Sequence, residues 1–274
     1  MTVQAVRVSP AWLGLREPAD AAARACELVE PIRTRLPDKG RAVIHDLASG
    51  TGSMGRWLAP RLPGSQHWVL YDHDAALLAH AREDHPVVAA DGAPVTQETR
   101  QRDITCLCPG ELAGASLVTA SALLDMLTAA ELGRFAAACA EAHCPVLVTI
   151  SVVGRVDLTP ADPLDEPIAA AFNAHQRRPR GGRRLLGPDA VEAAAEALSR
   201  LGAHVEVRSS PWRLGGAQAA LASEWLRGWV GAACEERPEL AAAATAYLRR
   251  RMADATAGRL RVTVHHHDLL ALPR

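Results

Sequence analysis

Val43-Ile44-His45-Asp46-Leu47-Ala48-Ser49-Gly50-Thr51-Gly52 carries an apolar run into an acidic residue and then into a glycine turn. That order suits a strand delivering a carboxylate and a close-approach loop to a ligand. Gly50 and Gly52 tolerate positive φ and let the backbone come near a ligand where a Cβ would clash. Ser53-Met54-Gly55-Arg56-Trp57-Leu58 then reads as the start of a helix, whose first amide groups face the loop. The stretch is read as a βα ligand loop.

Gly50, Gly52 and Gly55 also satisfy G-x-G-x-x-G, the dinucleotide-binding fingerprint. The next strand, His67-Trp68-Val69-Leu70-Tyr71, ends at Asp72, about 20 residues on, as that fingerprint requires. Asp46 weighs against a dinucleotide, because a carboxylate at that strand end would face the pyrophosphate and repel it. A ligand with an ammonium and no phosphate tolerates it.

The chain resembles the class I S-adenosylmethionine-dependent methyltransferases over about residues 41–150. Asp46-Leu47-Ala48-Ser49-Gly50-Thr51-Gly52 is similar to their first motif, with Ala48 where the first glycine would stand. The resemblance implies that Asp46, Ala48, Ser49, Gly50 and Gly52 contact S-adenosyl-L-methionine. It implies that Asp72 binds both ribose hydroxyls, with His73 beside the adenine. Gln101-Arg102-Asp103-Ile104 resembles the segment that meets the adenine amino group, which makes Asp103 and Ile104 cofactor contacts. Leu117–Asp125 resembles the fourth strand, which ends at the reaction centre with Ser121 on the cofactor and Asp125 toward the acceptor.

A chain of 274 residues with 49% hydrophobic composition buries an ample core. A formal net charge of −1 and a pI near 6.8 give no global basic field, so nucleic acid and anionic membrane are not the expected partners. A small-molecule acceptor is, with a homodimer left open. Met1–Arg7 lacks the pattern of a secretory signal, and no apolar stretch approaches ~18 residues, so a cytoplasmic protein is the expectation. The six cysteines have no C-x-x-C pair, and free thiols are expected.

Along the chain, Pro18 to Leu36 reads as a helix with Pro18 in its first turn. Strands near 42–47, 67–72, 87–90, 116–120 and 145–151 then alternate with helices at 53–62, 75–84, 94–101 and 129–142. Alternation of this kind predicts an α/β, Rossmann-like, mostly parallel seven-stranded sheet with helices on both faces and an antiparallel C-terminal strand. The expected plan is one domain. Residues 1–40 form a helical cap, 41–153 the cofactor-binding half, 154–187 a lid insertion, and 188–274 the rest of the sheet. Within that last part, Pro188–Leu201, Ala217–Cys234 and Pro238–Ala257 read as helices, and His204–Arg208 and Arg261–His265 as strands.

Methyl transfer from a sulfonium needs alignment and desolvation more than a dedicated acid, so no metal is expected. The insertion, rich in Pro, Gly and Arg, is expected to overhang the site. On it His175 is a candidate base, and Asn173 and Gln176 are candidate substrate contacts, because histidine titrates near neutrality. Arg183, in an arginine cluster around Gly181-Gly182, suits an anionic acceptor. His265-His266-His267 invites a metal reading, but successive strand residues point to opposite faces and do not converge on one ion. Two alternatives remain open: a nicotinamide-dependent oxidoreductase using the same glycines, and a non-catalytic methyltransferase-like binding module.

Overall fold

The computed structural model describes residues 8–37, 39–83, 88–108 and 110–274. Met1–Arg7 and the start of the strand expected near 87–90 lie outside them; Val88 itself makes a single antiparallel bridge to Pro94. The chain begins with α1 (Pro10–Ala23) and α2 (Val29–Arg33). Next come β1 (Ala42–Leu47), α3 (Ser53–Leu58), β2 (Gln66–Asp72), α4 (Ala75–Glu83), β3 (Val95–Gln101), β4 (Leu117–Ser121) and α5 (Ala129–Glu141). The second half holds β5 (Val146–Thr159), α6 (Asp165–Arg177), a small hairpin of β6 (Pro179–Arg180) and β7 (Arg183–Arg184), and α7 (Ala190–Arg200). It closes with β8 (His204–Ser209), β9 (Trp212–Leu214), α8 (Ala219–Glu236), α9 (Ala241–Thr256) and β10 (Arg261–Leu272).

The sheet runs in the order β3-β2-β1-β4-β5-β10-β8, with β9 as an eighth strand on β10. From β3 to β5 the pairs are parallel, and β10 is antiparallel to both of its neighbours. β1 is the central strand from which chain order departs in both directions, so its carboxyl end opens a crevice where the glycine turn lies. Two apolar cores cover the faces of this sheet. One is built around Leu47, Val118 and Phe135, the other around Ile44, Trp57 and Trp68.

Three elements depart from the sequence reading. The N-terminal helix starts at Ser9, whose hydroxyl accepts the Trp12 N–H at 3.1 Å, with Pro10 in the first turn. Pro18 lies inside it. It ends near Arg24 because the Ala25 N–H is taken by the Asp268 carboxylate (2.8 Å). Residues 95–101 form a parallel strand, not a helix. On this sheet edge Val95-Thr96-Gln97-Glu98-Thr99-Arg100-Gln101 has no inner apolar run to display its period.

The third departure is the largest. β5 continues to Thr159, so the insertion expected from Gly154 begins inside a strand. With β10 it forms a long ribbon that projects past the parallel sheet, with register shifts at Ile150 and around Gly154. α6, α8 and α9 cover the ribbon and build a third core around Ile168, Trp212, Leu226, Trp229 and Tyr247.

Candidate active site

At the end of β1 the turn is tight. Gly50 (φ 56°) and Gly52 (φ 82°) take the left-handed conformation, and so does Ala48 (φ 54°), where the first motif would place a glycine. Ala122 (φ 52°), after β4, and Ile150 (φ 55°), within β5, do the same. Non-glycine residues in this region store strain, most of all a β-branched one; these three follow or lie within β1, β4 and β5, whereas a fourth, His143 (φ 49°), precedes β5. The Ile150 N–H donates to Asp268 Oδ1 at 2.7 Å, which holds the bulge in place.

Asp46, Ala48, Ser49, Gly50 and Ser121 line one cavity with Ser53, Met54 and Ala122, roofed by Leu13, Arg16 and Asp20 of α1. Its volume is about 50 Å³. α1 lies so close that a Cβ on Gly50 would stand 3.0 Å from Leu13. Glu17 and Arg56 fasten the helix through paired hydrogen bonds of 2.6 and 2.7 Å. Asp20 accepts from Arg16 (2.9 and 3.2 Å) and from the Trp212 indole (2.8 Å).

Asp46 is 1% exposed. One carboxylate oxygen accepts from Thr119 (2.8 Å), while the other is buried with no partner among the described residues. Burial pushes its pKa up to about 7, against the lowering effects of Thr119 and Arg24. Among the described residues the buried Ser49 hydroxyl also has no partner. Ser121 accepts from Thr149 (3.1 Å) and from Arg24 (3.2 Å).

Asp72 is tied to the glycine turn. Its Oδ2 accepts the Gly50 N–H and its Oδ1 the Asp74 N–H, both at 2.9 Å. His73 lies alongside it, Nδ1 at 3.4 Å. The Arg102 N–H donates to the Asp72 carbonyl (2.8 Å), which sets the end of β3 against the end of β2 and brings Asp103 near His73. Asp103 caps a 3-10 turn and accepts from the Thr105 amide and hydroxyl; although partial burial opposes it, these bonds hold its pKa below the carboxylate norm. Ile104 packs into the first core.

The acceptor candidates are scattered. Asp125 lies in the turn after β4, its pKa raised by burial to about 6 and held back by Arg16. The insertion does not bring His175, Asn173 or Gln176 to the glycine-turn cavity, because α6 packs against α8. His175 contacts Glu235 on α8 (3.1 Å), Asn173 donates to the Gly154 carbonyl (2.7 Å), and Gln176 sits against Gly187. Arg183 binds Glu131 (2.8 and 3.1 Å) and lines a separate cavity of about 560 Å³ with Arg134, Arg177 and Arg184. In β10, His266 is buried, whereas His265 and His267 are half-buried on the opposite face. His265 pairs with Asp157 at 2.6 Å.

Arg16, Asp20 and Arg24 were missed by the sequence reading. They recur every fourth residue, a pattern that ordinarily marks the solvated stripe of a helix. Here that stripe faces the glycine turn.

No protein-family model and no curated protein matches the chain. Among solved structures it is similar to the cyclopropane synthase MmaA2 from Mycobacterium tuberculosis, with a TM-score of 0.51 and 14% identity over 96% of this chain and 94% of that one. It is also similar to an S-adenosylmethionine-dependent methyltransferase from Thiobacillus denitrificans solved in complex with S-adenosyl-L-homocysteine. That match has a TM-score of 0.45 and 13% identity over 98% and 100% of the two chains. Strand order and the first of these likenesses agree: the chain has the fold of the class I S-adenosylmethionine-dependent methyltransferases.

Proposed function

We propose that the protein transfers a methyl group from S-adenosylmethionine to a small-molecule acceptor by direct displacement, without a metal. The carrying observation is the bare, buried oxygen of Asp46 beside two left-handed glycines at the crevice of this sheet. An ammonium satisfies that oxygen, whereas a pyrophosphate would be repelled by it. In this reading Asp46, Ala48, Ser49, Gly50 and Gly52 hold the amino-acid end of the cofactor, with Ser121 on the β4 side. Asp72 and His73 meet the ribose, and Asp103 with Ile104 borders the adenine. Asp72 retains a second lone pair on each oxygen for ribose hydroxyls.

When bound, the cofactor supplies an electrophilic methyl group. The chain's own task is to align an acceptor and exclude water. α1 supplies the roof, and this reading assigns the acceptor-side proton to Asp125, whose pKa burial raises to about 6. An anionic part of the acceptor is assigned to the arginine-lined cavity, where Arg183 and Arg184 stand at the hairpin.

Calorimetry with S-adenosylmethionine, S-adenosylhomocysteine and NADH tests the cofactor. Binding of the two methionine nucleosides is expected, and an Asp72→Ala variant should lose at least about tenfold in affinity. Tight NADH binding with no response to either methionine nucleoside would overturn the reading. Once an acceptor is in hand, turnover should survive exhaustive chelation, and replacing Arg183 and Arg184 should raise its KM with cofactor affinity nearly unchanged.

A further inference from the structure

The arginine-lined cavity, of about 560 Å³, falls within the roughly 300–1,000 Å³ of small-molecule sites. Its charge is uneven. Arg134, Arg177, Arg183 and Arg184 line it against two carboxylates, Glu131 and Asp189. Arg183 takes Glu131 through two hydrogen bonds (2.8 and 3.1 Å), and Arg177 takes Asp189 through two more (2.6 and 2.7 Å). Arg134 reaches only a neutral group, the Thr105 carbonyl (2.9 and 3.1 Å). Arg184 lies in the field of Asp189 but makes no ion pair among the described residues. Two guanidinium charges are therefore left over on one cavity wall.

The start of α5 adds donors. Its capping box commits the Thr128 and Glu131 amides to each other's side chains, which leaves the first-turn amides of Ala129 and Ala130 at the cavity. Arg183 also donates to the Met126 carbonyl (3.3 Å), beside Asp125, and the Leu186 N–H donates to the Leu127 carbonyl (2.8 Å). The turn that carries Asp125 thus joins two cavities: Ser121 and Ala122 line the glycine-turn cavity just before it, and Thr128 lines the arginine cavity just after it.

A carboxylate would neutralise one of the two spare charges. A phosphate monoester carries about −1.5 to −2 at pH 7 and has three acceptor oxygens, enough for two guanidinium forks and a helix amide. We propose that the anionic part of the acceptor is a phosphate monoester, held by Arg134, Arg184 and the first turn of α5, so that the acceptor is a phosphorylated small molecule. Arg183, locked on Glu131, fixes the wall on which they stand. The inference rests on the methyl-transfer reading and names its substrate class.

Calorimetry on the full chain should compare phenyl phosphate with benzoate, each with and without saturating S-adenosylhomocysteine. At about pH 7.5 phenyl phosphate should bind at least about tenfold more tightly. The wall keeps its charge as pH falls: Arg177 holds the Asp189 pKa below the carboxylate norm, and Arg183 does the same for Glu131 although burial opposes it. The preference should therefore shrink below about pH 6, where the ester loses its second charge. Replacing Arg134 and Arg184, both exposed, by Gln should bring the ratio close to one with S-adenosylhomocysteine affinity unchanged, and the paired Lys variant should recover part of it. Equal affinities for the two probes in the wild type, or a preference that survives in the Gln variant, would overturn the phosphate assignment and leave the cofactor reading intact. A phosphate preference with no response to S-adenosylhomocysteine would bring down the methyl-transfer reading and the acceptor assignment with it.

Discussion

At the level of single residues, Asp46 makes the protein's pH behaviour a test of its site. Its folded pKa of about 7 lies above the ordinary carboxyl value, so the folded state holds this proton more tightly than the unfolded chain. The stability involved is complete below about pH 4 and is lost as pH rises through about 7. Arg24, Asp72 and Thr119 are the groups whose field or hydrogen bond acts on it. Asp46→Asn should therefore flatten the fall in stability between pH 5 and 8, a difference on the order of 1–4 kcal/mol, read by urea unfolding at several pH values. An unchanged slope would show that Asp46 does not titrate there. The same residue should make cofactor affinity rise with pH up to about 7, because an ammonium binds its ionised form. Ala48 carries a second prediction. At φ 54° glycine is tolerated to within about 1 kcal/mol, whereas Ala48→Val should cost over about 2 kcal/mol, compared by denaturant midpoint. The acid and the glycines were legible in the sequence because they are contiguous and their chemistry is local. Arg24 was not, because only the tertiary fold turns its helical stripe inward.

At the level of elements, α1 is the piece on which the site depends, and its fastening to α3 is thin. The Glu17–Arg56 pair is partly exposed, so Glu17→Gln should change global stability by less than about 1 kcal/mol. It should nevertheless speed hydrogen exchange along α1, since local opening needs far less free energy than unfolding. Global loss in step with the exchange rate would count against a separately opening roof. Asp268 joins three elements by accepting from Ala25, Ile150 and Ser210. Asp268→Ala strands three buried donors and should cost about 3–5 kcal/mol, and Asp268→Asn less, measured by chemical denaturation. Elements with a strong inner period, such as β1, β2, β4 and α5, were readable from sequence. β3 was not, because its edge position leaves Thr, Gln and Glu where an inner strand shows Val and Ile. The insertion was misread for a different reason: Val152–Thr159 pairs with β10 from more than 100 positions away, and no local pattern announces such a partner.

Across the whole molecule, the third core is an extension of the ribbon and not of the parallel sheet. Leu226 is fully buried in it, and Leu226→Ala should cost about 2–5 kcal/mol by urea unfolding. Hydrogen exchange should show that loss first in α6, α8 and α9, with β1 and β4 affected last. Uniform loss across both halves would mean that the molecule unfolds as one unit. α1 is the shared wall between the halves. Trp12, Leu15 and Ala19 pack on the third core, while Leu13, Arg16 and Asp20 face the glycine turn. Repacking of the third core would therefore reset the seating of that wall and shift cofactor affinity with it. Selection for restored cofactor binding in a variant with a loosened third core should recover second-site changes on α1, because this one helix is the wall that both halves inherit.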